Sequence, residues 1–82
     1  MVKYSVVGFI EDPDGEGRFA FQLIIKVYGR RKLKILDLSK VSIEDLCSMI
    51  CAESLPAAIQ AKLVVDKHGL KRYLVLIEKD EC

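Results

Sequence analysis

Apolar and polar positions alternate at the start of the chain. Val2, Tyr4, Val6 and Ile10 are set off by Lys3, Ser5 and Phe9, a period of two in β-branched surroundings that predicts a first strand over 2–10. The run Glu11-Asp12-Pro13-Asp14-Gly15-Glu16-Gly17 then has Pro with Asp and Gly following, the chemistry of a turn, so the chain reverses. Over 18–28, Phe19, Phe21, Leu23, Ile25 and Val27 fall on one side of a second, longest strand and Ala20, Ile24 and Tyr28 on the other. Gly29-Arg30 has the spacing of a two-residue hairpin leading into a third strand over 31–38.

At Ser39 and Ser42 the period changes. Ser42 with Asp45 three residues on forms a near capping box, and Ile43, Leu46, Cys47 and Ile50 recur at helical spacing, with Glu44 and Asp45 in the first turn where the helix dipole favours acids. A helix is expected over 43–53. Pro56 breaks it, and Ser54 or Leu55 can cap a short second helix over 56–61. Two further β-rich runs, 62–66 and 70–79, flank Lys67-His68-Gly69, where Gly69 supplies a positive φ.

The order β-β-β-α-(α)-β-β predicts one α+β domain over 1–82: a two-layer, largely antiparallel sheet of about five strands with one or two helices on one face. One feature resists that plan. Ile24 and Tyr28 on the second strand and Leu74 and Leu76 on the last make the sheet apolar on both faces, and helices on one side cover only one. A second copy of the chain is the expected cover, making Ile24, Tyr28, Leu74 and Leu76 an interface and the protein a homodimer; the alternative is that two short helices straddle the sheet or that it curls.

Composition narrows the setting. With 51% apolar residues in 82, the chain can bury a core without metals or disulfides. The longest apolar run, 74–77, is far too short for a membrane span, and 1–10 is strand-like instead of a leader, so no membrane partner is expected. Thirteen Lys and Arg against twelve Asp and Glu leave a net charge of +1, so any polyanion binding must come from a local patch. Three cysteines cannot all pair within one chain, and Cys47 and Cys51 stand one helical turn apart, which argues for a reducing, cytoplasmic setting. The absence of Asn and Thr beside abundant Lys and Glu is a mild thermophile tendency.

The sharpest patch is 26–34. Lys26, Arg30, Arg31, Lys32 and Lys34 give five positive charges in nine residues with no acid, centred on the expected hairpin tip and carrying Tyr28. A β-ribbon fits a nucleic-acid groove, the arginines can grip phosphates bidentately, and Tyr28 can stack on a base. Lys71 and Arg72 form a smaller cluster that reinforces the first if the topology brings the two together. Binding of DNA or RNA is therefore the first functional expectation, and a protein-interaction or homo-oligomeric assembly module using the apolar sheet face the second. His68 reads as a solvated turn residue. The acidic run 11–16 lacks the spacing of a calcium loop, since position 21 is Phe. Its separation from the basic tip makes the molecule dipolar. Cys47 and Cys51 read as small core residues, with Cys82 an exposed terminal thiol. A zinc site from these cysteines and His68 would draw on scattered elements, so no metal or cofactor is expected. With no phosphate loop, nucleophile elbow or metalloprotease motif, a non-enzymatic role is expected, leaving only catalysis assembled across a subunit interface.

Overall fold

The computed structural model describes residues 2–82; Met1, the first residue of the stretch read as strand-like instead of a leader, lies outside the described residues. Six elements follow in order: β1 (Lys3–Ile10), α1 (Gly17–Tyr28), β2 (Leu33–Asp37), α2 (Ile43–Met49), α3 (Leu55–His68) and β3 (Tyr73–Lys79). The fold is a small α+β one with an antiparallel sheet, but the sheet has three strands, not five. Two segments read as strands are helical, and each misleads for a different reason.

Segment 18–28 is α1. Its alternating apolar residues are embedded in a run that is apolar almost throughout, so Phe21, Ile24, Ile25 and Tyr28 satisfy helical spacing as well as Phe19 to Val27 satisfy strand spacing. Twelve residues suit a helix of three turns better than a strand, whose usual length is about five or six. Gly29 is therefore not a hairpin turn. It closes α1 at φ 78°, a conformation that L side chains avoid, and its N–H donates to the Ile25 carbonyl at 2.8 Å.

Segment 62–66 lies inside α3. Val64 and Val65 suggest a strand, yet the buried set Ala58, Ala61, Lys62 and Val65 is spaced three, four and seven apart. A lysine in that set hides the helical stripe from a polarity pattern. The Nζ of Lys62 donates to Asp66 Oδ1, one turn on, at 2.8 Å, which gives this buried amine a partner.

The capping box at Ser42 forms as expected: Asp45 N donates to Ser42 Oγ at 3.1 Å and Ser42 N to Asp45 Oδ2 at 3.3 Å. The helix it starts ends at Met49 rather than 53, since Ile50 turns extended and bridges to Tyr4 of β1. Cys51 N then donates to the Tyr4 carbonyl at 2.8 Å, and Val6 N to Ser54 Oγ at 3.2 Å, so segment 50–54 occupies part of the outer edge of β1.

The sheet order is β1-β3-β2, with β3 central and antiparallel to both neighbours. Val6 and Lys34 both face Leu76, and Gly8 and Ile35 both face Val75, after a bulge in β1 between Val6 and Gly8. Alternation along β3 then separates two faces. Leu74 and Leu76 point to the core under α2 and α3, with Leu38, Val41, Leu46, Ile50, Ala58, Ala61 and Val65. Val75 points the other way, towards α1. There Ile24 sits over Gly8 so closely that a Cβ at that glycine would stand 2.7 Å from Ile24 Cδ1. Helices thus lie on both faces, and the expected one-sided layer is corrected: α1, counted as the longest strand, is itself the cover for the second face.

Candidate interaction surface

Helix α1 buries none of its residues. Its polar side chains, Arg18, Gln22 and Lys26, stand four apart and share one strip, so apolar groups take the rest of the circumference. Part of that apolar arc is used: Phe21, Ile24 and Ile25 are half-buried on the sheet side. The remainder is not. Phe19 and Val27 are each 74% exposed and Leu23 50%, with exposed Ala20 between them. Ala20, Leu23 and Val27 repeat at spacings of three and four, the seam one helix presents to another.

The ends of α1 carry opposite charge. Before it stand Glu11, Asp12, Asp14 and Glu16, in a turn held by Gly15 N donating to the Asp12 carbonyl at 3.2 Å and Asp14 N to Asp12 Oδ1 at 3.0 Å. After it come Arg30, Arg31 and Lys32, with Lys26 in its last turn. Twelve residues at about 1.5 Å each separate the two groups by roughly 18 Å. The dipolar molecule expected from a long strand is therefore built on a helix. Among the described residues, Asp12, Asp14, Glu16, Lys26, Arg30, Arg31 and Lys32 take part in no ion pair; Glu11 reaches Arg72 at 3.7 Å.

The other residues singled out from the sequence are dispersed. Tyr28, Arg30, Arg31, Lys32 and Lys34 are exposed, but they flank a helix end and not a β-ribbon tip. Lys34 lies over the Tyr4 ring at 5.4 Å. Lys71 and Arg72 sit at the opposite end of the sheet: Lys32 accepts at its carbonyl from Glu78 N, whereas Arg72 accepts from Leu38 N, six residues along β3 or about 20 Å. The two basic clusters do not meet. Of the interface set, Ile24 packs on Gly8 and Tyr28 is half-exposed, while Leu74 and Leu76 are fully buried in the core, so these four do not share a surface. His68 ends α3 beside Lys67, where the helix dipole favours positive charge, and Gly69 caps that helix at φ 62°.

The cysteines depart furthest from expectation. Cys51 is buried and bonded to Cys82, with their Cα atoms 5.4 Å apart, and Cys47 is the exposed, free thiol. The expectation that Cys47 and Cys51 share a helix face fails because α2 stops at Met49, before Cys51, which turns toward Cys82. At the other end of the sheet, Asp37 accepts from Ser39 Oγ at 2.7 Å and Ser39 N at 2.9 Å; the Ser39 hydroxyl chiefly holds that carboxyl below the usual range. An open cavity of about 330 Å³ lies between β1 and α3, lined by Phe9, Ala57, Gln60, Ala61, Val64 and Arg72. No group of three metal-ligating side chains stands together among the described residues, and no helix there is long and apolar enough to cross a membrane.

Compared with protein-family models, with curated proteins and with solved structures, the chain matches none.

Proposed function

We propose that this protein is a non-enzymatic interaction module that docks an apolar helical surface of another protein through the outward stripe of α1. One observation carries the reading: a helix apolar over most of its circumference buries no residue and leaves Phe19 and Val27 three-quarters exposed. Phe19, Leu23 and Val27 together offer on the order of 350 Å² of apolar surface, within the roughly 300–600 Å² of the largest patch on a typical monomer, which is often functional. Exchange of Phe19 and Val27 for Glu is expected to leave the melting temperature within about 8 °C, since two surface substitutions at about 0.5 kcal/mol each shift stability by no more than about 1 kcal/mol, and to abolish association. Differential scanning calorimetry with analytical ultracentrifugation checks both. A large loss of stability would make the stripe part of the core and refute the reading.

A second reading is favoured by the exposed, unpaired Arg30, Arg31 and Lys32 beside Lys26, Tyr28 and Lys34: binding of DNA or RNA phosphates at the end of α1, with Lys71 and Arg72 outside the contact. In fluorescence anisotropy with a mixed oligonucleotide, exchange of Arg30 and Arg31 for Ala is then expected to lower the slope of log affinity on log salt by about 1.4 to 1.8. An unchanged slope, or no binding at low salt, rejects it.

The Cys51–Cys82 bond supports a compartment that lets thiols oxidise, which turns the cysteine argument for the cytoplasm around.

A further inference from the structure

We infer that the surface docked by α1 is α1 of a second copy, packed antiparallel about a twofold axis at Leu23. The inference rests on the reading of α1 as a docking surface and adds the partner and its direction.

Charge complementarity selects this occupant. The acidic turn at the start of α1 and the basic loop at its end are opposite in sign, and among the described residues Asp12, Asp14 and Glu16 of the one and Arg30, Arg31 and Lys32 of the other make no ion pair within one chain. A parallel pairing would set acids against acids and bases against bases. An antiparallel pairing sets each acidic turn against the other copy's basic loop and makes both contacts at once. The register is consistent along the helix. With Leu23 opposite Leu23, Phe19 lies opposite Val27, so the largest exposed apolar group meets a smaller one; one step past each helix end, Glu16 lies opposite Arg30. Exposed Ala20 beside Leu23 lets the two backbones approach, and the three-and-four spacing suits a crossing of roughly 20°, shallow enough to keep both charged ends within reach.

The area is sufficient. Two stripes of on the order of 350 Å² plus the charged ends reach the roughly 1,200 Å² at which specific interfaces begin. The contact is isologous and closes on itself, so it yields a dimer and not a filament. It also places Arg30 and Lys32 against the other copy's acids, which withdraws part of the basic loop from any polyanion.

Charge exchange tests direction and partner together. One variant carries Asp14→Lys and Glu16→Lys, the other Arg30→Glu and Lys32→Glu; all four positions are exposed, and circular dichroism checks the fold. Each variant alone is expected to self-associate roughly tenfold or more weakly than the parent, and an equimolar mixture to regain a dimer of one copy of each, read by native mass spectrometry. Should a Lys or Glu variant misfold, Glu16→Gln with Asp14→Asn gives the milder form, expected to weaken association without reversing it. Parent-like dimers from both variants alone overturn the antiparallel pairing, while loss of those dimers on exchange of Phe19 and Val27 keeps α1 as the docking surface. A mixture that stays monomeric, or a parent protein monomeric at millimolar concentration, overturns the self-partner.

Discussion

Reduction of the Cys51–Cys82 bond is expected to lower the melting temperature by on the order of 15 °C. The bond joins residues 31 apart in sequence and encloses all of α3 and β3. Closing a loop of that length in the unfolded chain corresponds to about 3–4 kcal/mol in the chain-entropy account. In a domain of this size each 1 kcal/mol moves the midpoint by roughly 4–8 °C, and the whole stability is only about 5–10 kcal/mol. Thermal melts with and without a thiol reductant measure the effect, and Cys82→Ser should reproduce it. Cys47→Ser, at the exposed thiol, should leave the melt unchanged. Three free thiols in the oxidised protein by mass spectrometry would contradict the assignment.

Leu76→Ala is expected to cost about 3–5 kcal/mol, enough to unfold much of the population at 37 °C. Leu76 is fully buried on the central strand, and its neighbours come from both β strands and from α2 and α3, so no single side chain can move in to fill the cavity left behind. Urea denaturation followed by circular dichroism reads the change in midpoint at constant slope. The contrast with Phe19 is what matters. Both residues are large and apolar, yet substitution of Leu76 should act on folding and substitution of Phe19 on association. A mild effect at Leu76 would mean that this face of β3 is not core.

How far this was legible in the sequence differs from element to element. The first strand, the acidic turn, the Ser42 capping box and the last strand were all readable, because each depends on signals a few residues apart. Segment 18–28 was not, since apolar residues fill both the two-residue and the helical period and nothing local separates them. The clue lay in its length and in Ala20, Ile24 and Tyr28, four apart, read as a second strand face when they trace a helix. Segment 62–66 was hidden by Lys62, whose burial is tolerable only because of Asp66. The pairing of Cys51 with Cys82 depends on where β3 ends relative to segment 50–54, which no local pattern encodes. For the candidate surface, the excess of apolar groups was visible and so was the opposition of acidic turn and basic segment. Their carrier, a helix with a free side, was not.

The sheet order sets how this chain can come into being. The strand that joins the others is the last of the three to be made, and until Tyr73–Lys79 exists β2 has no partner strand and β1 has only segment 50–54 at its outer edge. Both must wait with their inner edges open while α1, α2 and α3 form locally, and the first sheet contacts close loops of tens of residues at once. Long-range pairing of this kind slows folding relative to a helical bundle and leaves aggregation-prone strands open in the meantime. Synthesis halted at residue 70 would therefore release helices without a sheet, and the sheet depends on Tyr73–Lys79 more than on either other strand.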